Sequence, residues 1–495
     1  MAVNSTSHLR PGVSGMSVYV PTLRVPLEAW CGWTNNAWPK VQAVVGRSFR
    51  CPAPDENVYT LAASAVLRLI RSYDVDPARV GYLALGTETS TDNSAGAVIV
   101  RGMVDRALES LGLPRLSRNV EVPEMKHACL GGVYATKAAS RYLALDGADR
   151  VAIVVCADVA EYERGSSGEQ TQGAGACAML LEPNARLFDL DLAHAGSASD
   201  YRGPDFRKPH VRHLIPGYAE KTKRLHDFPV FSGKYSTYSY VEETIRAFED
   251  MVRRLGIPTM DALKGPAALF FHRPYHHMPV QAVAYLYLRA LLASGADSAT
   301  VAALCKEIGT TPEALRAEAD SRPDLYGRVL AGQADADPFP LSGQAVGALR
   351  KTPEFKAFLD EKMSLGSRGA AELGNLYTAA LPAWIASGLE EAVQKGVALA
   401  EKRALAVGYG SGDAAESIPI RIAPAWEDAA RRIGFAAALE QAIDLTKEQY
   451  ETLHDTRTVS GVPPLPGGRF RIARVGDRHE ATFQDLGVEY YEYAR

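Results

Sequence analysis

The chain has 495 residues, 47% of them hydrophobic and 23% charged, with a formal net charge of −4. Such proportions belong to a soluble globular protein of more than one domain-sized unit, and they leave no basic excess for nucleic acid. The opening MAVNSTSHLRPGVSGMSVYVP lacks the apolar core of a secretory signal, and no stretch reaches the roughly 18 apolar residues that span a bilayer. The expected setting is therefore the cytoplasm, with no membrane partner.

In chain order, Tyr59–Ser72 carries apolar residues at three- and four-residue spacing and predicts a helix. Tyr82–Gly86 is a short apolar run that breaks off in Thr87-Glu88-Thr89-Ser90, as a strand buried on both faces does when it ends at a functional loop. Gly131–Ala144 predicts a helix that runs to about Leu145 and stops by Gly147. Val151–Val155 reads as a strand running into Cys156-Ala157-Asp158, and the glycine-rich Gln170–Ala176 reads as a tight turn. Tyr240–Leu255 is again helical in pattern, Ala267–Phe271 predicts a strand ending at His272-Arg273-Pro274, and Ala404–Val407 predicts one ending in the turn Gly408-Tyr409-Gly410-Ser411-Gly412. Strand and helix alternate as in a layered α/β fold, whose ligands gather at the carboxyl ends of the strands. Asp297–Gly369 departs from this alternation: it is alanine-rich, punctuated by Pro323, Pro338 and Pro340, and predicts a helical excursion without strands.

The six cysteines, Cys31, Cys51, Cys129, Cys156, Cys177 and Cys305, show no metal-site spacing, so no metal ligand set is expected. An arbitrary cysteine is more often a buried structural residue than a nucleophile. Cys129 reverses those odds, because it immediately precedes a predicted helix and is followed by Leu130-Gly131-Gly132. A helix N-terminus favours the thiolate, and the glycine pair admits a substrate to the backbone. Glu88 closes an apolar strand, where a carboxylate is either solvated or a partly buried base with a raised pKa. His272 closes another, and its place at the same predicted edge gives it weight beyond that of an isolated histidine. The two glycine-rich stretches have neither the Lys-Ser/Thr of a phosphate loop nor the spacing of a dinucleotide site. Turns of this kind can aim backbone N–H groups at a carbonyl oxygen, as acyl transfer requires.

Seven motifs stand in register: Tyr19-Val20-Pro21, Gly86-Thr87-Glu88-Thr89, Ala128-Cys129-Leu130-Gly131-Gly132, Gly168–Ala176, His272-Arg273-Pro274-Tyr275, Gly374-Asn375-Leu376-Tyr377-Thr378 and Gly408–Gly412. Together they resemble the 3-hydroxy-3-methylglutaryl-CoA synthase family, including its relatives that install β-branches on polyketides. The resemblance implies an α/β thiolase fold of two similar halves in α-β-α-β-α layers, residues 1–190 carrying Glu88 and Cys129 and residues 191–495 carrying His272 and Asn375, with the excursion at about 297–369 inserted in the second. It implies a homodimer. It implies Cys129 as the acylated nucleophile, Glu88 as general acid/base and His272 as the group orienting the acceptor, with Asn375 near the acceptor carbonyl, the Ser411 N–H on the thioester oxygen and Tyr162 lining the site. The implied chemistry condenses an acetyl thioester, delivered by acetyl-CoA or an acyl carrier protein, with a β-ketoacyl thioester, and needs no cofactor.

The sequence departs from the family pattern in three places. His277 stands where the family usually has a lysine that receives CoA, His127 stands two residues before the cysteine, and Phe231-Ser232-Gly233 replaces a Val-Asp-Gly. A second reading keeps the same residues but passes the acyl group from Cys129 to another nucleophile, with no methyl deprotonation. A third makes the chain a non-catalytic scaffold binding acyl carriers through the excursion.

Overall fold

The computed structural model describes residues 10–92, 95–208, 228–230, 232–294 and 298–495. Phe231 and Asp297, and residues 1–9 of the expected first half, lie outside the described residues. The first half contains strand β1 (Gly12–Tyr19), helix α1 (Val58–Ser72), strand β2 (Val80–Gly86), helix α2 (Gly96–Ser110), the short strand β3 (Glu124–Met125), helix α3 (Gly131–Leu145) and strands β4 (Val151–Ala160) and β5 (Gly173–Glu182). There follow β6 (Phe188–Leu190), β7 (Gly196–Ser199), α4 (Gly233–Leu255), β8 (Leu269–Phe271), α5 (His277–Ser294), α6 (Ala380–Gln394), β9 (Arg403–Gly410) and β10 (Ala414–Ile422).

Local sequence accounts for the best-defined elements. Helix α1 opens on a capping box: the Asn57 side chain accepts from the Tyr59 and Thr60 N–H groups, while the Thr60 hydroxyl accepts from the Asn57 N–H. Strand β2 is apolar throughout because every one of its residues is buried.

The two halves repeat one pattern of strand pairing. In the first, β2 runs parallel to β4, β4 antiparallel to β5, and β5 antiparallel to β1. In the second, β8 runs parallel to β9, β9 antiparallel to β10, and β10 antiparallel to β7. Strand β6 pairs with both β1 and β10 and so joins the two sets into one ten-stranded sheet. This repetition is the doubled arrangement expected of the thiolase fold. Helices α3 and α6 lie between the sets: Val133 and Thr136 of one and Leu381 and Ile385 of the other face a shared apolar interior with Met179, Ala406 and Ile418. Helices α1 and α4 cover the outer faces.

Between α5 and α6 the described residues form six helices, Ser298–Ile308 through Ser367–Ala370, and no strand. They pack largely on α5 and on one another. A final pair of strands, β11 (Arg469–Val475) and β12 (Glu489–Ala494), rests on α1 and α2. Among the described residues no helix is long and apolar enough to cross a membrane.

One predicted turn is corrected. Only Glu169–Thr171 turns; Gly173-Ala174-Gly175-Ala176 opens strand β5, which is buried up to its last residue. Small residues suit that strand because another backbone crosses it, and a Cβ at Gly173 would stand 2.6 Å from the Asn375 carbonyl oxygen. Similarly, β9 continues through Gly410, leaving only Ser411 to Asp413 to turn.

The end of β2 meets the start of α3 backbone to backbone: a Cβ at Gly86 would stand 2.4 Å from the Gly132 Cα. Interiors packed at crystal density cannot absorb an added methyl at such a place. Gly86→Ala should therefore cost about 1–3 kcal/mol, read by urea unfolding. A loss under about 0.5 kcal/mol, the size of a neutral surface change, would show that the two elements are free to separate.

Candidate active site

Cys129 lies in the loop between β3 and α3, turned by a bond from the Leu130 N–H to the His127 carbonyl (2.8 Å). Ala128 before it holds a left-handed φ of 41°, a conformation that costs an L-residue energy and collects at functional sites. Cys129 is buried in a cage of Ala160, Tyr162, Tyr377 and the partly buried Phe206. Its thiol points at Glu88, with Sγ 3.6 Å from Oε2.

Glu88 is half-buried, and its loop is fixed from below by Asp158, which is fully enclosed in β4. Asp158 Oδ1 accepts from the Thr87 hydroxyl (2.9 Å), the Glu88 N–H (2.7 Å), the Thr89 N–H (2.9 Å) and the Thr89 hydroxyl (2.7 Å). Its Oδ2 accepts from the N–H (2.9 Å) and hydroxyl of Thr378, in the other half of the chain. Burial, and then the charge of Asp158, push Glu88 up to about 8, while Lys208 pulls against them. Burial and the neighbouring carboxylates of Glu88 and Asp158 raise the Cys129 thiol well above its ordinary value. The thiolate expected from the helix start is thus not the resting form: the carboxylates gathered by the fold outweigh a helix terminus, whose influence fades within a turn.

Asn375 is buried beside this cage. Its Nδ2 donates to the Tyr162 hydroxyl (3.4 Å) and its Oδ1 accepts from the Tyr377 N–H (2.9 Å). Tyr377 itself has a φ of 45°, rare for an aromatic residue, and meets the Tyr162 ring edge-on. Glu88, Cys129, Tyr162 and Asn375 therefore form one contiguous group.

His272 and Ser411 sit on the adjoining edge. The Val407 carbonyl accepts from the His272 N–H (2.6 Å), and the His272 carbonyl accepts from the Tyr240 hydroxyl (2.8 Å). Its ring stacks near Tyr409 at 6.3 Å, yet neither ring nitrogen has a partner among the described residues although the residue is 1% exposed. Burial lowers its pKa to about 3, so it stands as a neutral imidazole. A buried polar ring without partners is costly unless something else completes it. Ser411 begins the turn after β9, where its side chain bonds to Tyr409. The preceding Gly410 lies against the Cys129 loop, since a Cβ there would stand 2.6 Å from the His127 carbonyl oxygen. His277 stands apart: it opens α5, and burial and the charge of Arg350 lower its pKa to about 4.

The family pattern described as "Hydroxymethylglutaryl-coenzyme A synthase N terminal" matches residues 10–186. The hydroxymethylglutaryl-CoA synthase of Haloferax volcanii is 26% identical over 402 residues, covering 81% of this chain and 80% of the relative. The synthase erg13B of Aspergillus fumigatus is 25% identical over 96% of this chain and 92% of its own length. The solved structure of MvaS in complex with 3-hydroxy-3-methylglutaryl coenzyme A superposes with a TM-score of 0.75, at 26% identity, over 98% of this chain and 100% of that one.

Residues 10–186 thus match the N-terminal pattern of hydroxymethylglutaryl-CoA synthases, and the whole chain is similar to proteins of that name. Its fold is also that of the curacin-pathway HMG synthase solved with holo donor-ACP, at a TM-score of 0.69 and 18% identity over 98% of this chain and 100% of that one.

Three residues that sequence reasoning passed over stand out: Asp158, Tyr377 and Arg202. Asp158 was visible as a lone charge at the end of an apolar run. Tyr377 lay inside a recognised motif, but nothing in its type announced a left-handed backbone. Arg202 carried no local signal. It is buried, with Nη2 2.6 Å from both Glu242 Oε2 and Glu243 Oε2, Nη1 2.8 Å from Asp200 Oδ2 and Nε 3.2 Å from Asp413 Oδ1. Its N–H also bonds to the Gly412 carbonyl (3.2 Å), so it anchors the turn that carries Ser411. Burial pushes both Asp413 and Glu243 up, against the pull of Arg202.

Removing the charge should strand these carboxylates. Arg202→Met is expected to lose about 3–5 kcal/mol, the range for breaking a buried ion pair, in urea unfolding at pH 7.5. The loss should shrink at pH 5.5, where the freed carboxyls take up protons without cost. An equal loss at both values would show that packing, not charge, is what the arginine supplies.

Proposed function

We propose that the protein condenses an acetyl thioester with a β-ketoacyl thioester through an acetyl group carried on Cys129. The observation that carries this reading is the closed pair of Cys129 and Glu88 at 3.6 Å, supported by a buried His272 whose ring nitrogens have no partner among the described residues. The match to the N-terminal synthase pattern supports the reaction class, and similar solved structures are complexes with 3-hydroxy-3-methylglutaryl coenzyme A and with donor ACP.

In the first step the Cys129 sulfur attacks the donor carbonyl carbon. The donor's carbon–sulfur bond breaks, the acyl–Sγ bond forms, and the thiol proton ends on the departing thiol. A thiol held neutral at rest resists idle oxidation or alkylation and becomes nucleophilic only as its proton is drawn off. In the second step the Glu88 carboxylate takes a proton from the acetyl methyl group, and the new carbanion adds to the ketone carbon of the acceptor. A neutral imidazole cannot act as a strong acid, but it polarises a carbonyl through an N–H hydrogen bond and stabilises the alkoxide as charge develops. His272 supplies that bond, Asn375 adds a second donor, and the proton held on Glu88 passes to the alkoxide, giving the tertiary hydroxyl and restoring the carboxylate. Water then cleaves the Sγ–acyl bond, freeing the Cys129 thiol and a 3-hydroxy-3-methylglutaryl-type product with a new carboxylate. The scheme balances without metal or redox cofactor.

The donor arm is an acyl-CoA or the phosphopantetheine of a carrier protein, and on this reading the enzyme works as a cytoplasmic homodimer, as the family resemblance implies. Intact-protein mass spectrometry after incubation with acetyl-CoA, and separately with acetylated carrier protein, should show one added acetyl group that is absent from Cys129→Ala. No adduct from either donor would remove the acetyl mechanism.

Glu88→Gln should still acylate but lose condensation by about 10²–10⁴-fold, the usual reach of general acid–base catalysis. Product at the wild-type rate would instead favour plain acyl transfer. The base form of Glu88 lies above its pKa, so single-turnover condensation by the isolated acetyl-enzyme should rise with pH through about 8. Acetylation removes the thiol's hydrogen bond, which holds that value down, so the midpoint falls there or higher. A flat profile from pH 6 to 9 would remove Glu88 from the step.

A further inference from the structure

The helical excursion takes no part in the condensation, yet it reaches the site through one short strap. Residues 200–206 run from the end of β7 to the cage around Cys129, where Phe206 lies edge-on to Tyr162 and Tyr377 at ring-centroid distances of 6.0 and 6.2 Å. Phe206 holds a left-handed φ of 53°, a backbone that an aromatic residue keeps only where its surroundings impose it. Next to it, Asp205 accepts from the Ser236 hydroxyl and lies 3.4 Å from the hydroxyl of Tyr409, whose ring stacks near His272. The strap thus borders both the thiol and the imidazole.

Hydrogen bonds tie its first residues to the turn after β9 and to α4. The Asp200 and Arg202 N–H groups donate to the Asp413 and Gly412 carbonyls (3.2 Å each), and the Arg202 carbonyl accepts from the Tyr235 hydroxyl (2.9 Å). Gly203 has no such tie: among the described residues its backbone makes no hydrogen bond, and its φ of 66° is one that glycine takes at little cost. What covers it is the ring of Tyr326, from the excursion's helix Leu325–Leu330, for a Cβ at Gly203 would stand 2.5 Å from Tyr326 Cε2. The same ring meets Tyr201 edge-on, with centroids 4.7 Å apart.

The excursion stands on the helix that supports the site. Arg246 of α4 donates to the Ser321 carbonyl (2.8 Å), and Glu249 of α4 pairs with Arg289 of α5 and with Arg322 (3.2 Å). Along the same α4, Tyr235 and Ser236 hold the strap, and Tyr240 holds the His272 carbonyl. Tyr326 is therefore fixed in the frame of the site while it presses on the strap's untied glycine.

We infer that Tyr326 is a positioning residue: by covering Gly203 it holds the strap that seats Phe206 beside Cys129, so that the helical excursion sets how tightly the sulfur is closed. Closure of the sulfur follows from the packing; its consequence, selection of a small acyl group, rests on the condensation reading.

The test compares full-length wild type, Tyr326→Ala and Tyr326→Phe by the rate at which iodoacetamide alkylates Cys129, read by peptide mass. Tyr326→Ala should react about tenfold faster, the factor that an aromatic contact of this kind commands, and should discriminate less between acetyl and butyryl thioester donors. Tyr326→Phe keeps the ring and should match wild type on both readouts. Tyr201→Ala, at an exposed position, keeps the test open should Tyr326→Ala not fold, and should shift the rate in the same direction. Unchanged alkylation in both alanine variants, or equal acceleration in Tyr326→Phe, would overturn the assignment. So would acceleration shared by the fully enclosed Cys156 and Cys177, which would mean general loosening. The two readings fail separately: absence of an acetyl-enzyme in wild type would sink condensation while alkylation still reports on the cage, and unchanged alkylation would sink the role of Tyr326 while leaving acetylation of Cys129 intact.

Discussion

A single buried carboxylate holds this site together. Asp158 collects bonds from Thr87, Glu88 and Thr89 on one half of the chain and from Thr378 on the other. Desolvation raises its pKa, and these bonds oppose that rise. An enclosed carboxylate is tolerable only when its lone pairs are filled, so the loops that fill them lose the freedom to move apart. Thr378 stands three residues after Asn375, which places the second half's polar groups within reach of the Glu88–Cys129 pair.

The same carboxylate sets the electrostatics. Its charge, added to burial, keeps Glu88 poised near neutrality and Cys129 protonated. His272, surrounded by Tyr240 and Tyr409, is held neutral by desolvation alone. Three groups with displaced titrations, two of them in direct contact, are the kind of set from which acid and base roles are made. A second enclosed network, Arg202 with its carboxylates, reaches His272 through Tyr409, whose ring stacks near the imidazole and whose hydroxyl donates to Asp413 Oδ2 (3.2 Å). Two polar hubs thus support an otherwise apolar, glycine-lined junction.

Much of this was legible in the sequence, for physical reasons that differ by element. Strands β2, β4 and β9 announce themselves because burial on both faces demands unbroken apolar runs. The Cys129 helix shows in its periodicity, and the strandless stretch after α5 in its composition. Strand β5 hid behind glycines that serve a close backbone crossing rather than a turn. Strand β10 hid behind Pro419 and behind Glu416, a charge made tolerable by Lys137 at 2.7 Å from a helix far away in sequence. Positions of Glu88, Cys129, His272 and Asn375 could be read from motifs. The protonation of Glu88, Cys129 and His272 could not, because it depends on Asp158 and on burial that only the folded chain creates.

In the proposed mechanism one proton decides the outcome, the one that Glu88 takes from a methyl group held on Cys129. A single turnover with trideuterated acetyl donor and a β-ketoacyl thioester acceptor reads this directly by product mass. Loss of one deuteron, leaving a deuterated methylene in the product, is the predicted result, with Glu88→Gln holding the intact trideuterated acetyl on Cys129. A product that keeps all three deuterons would mean that the acyl group is merely handed on, and would contradict the condensation.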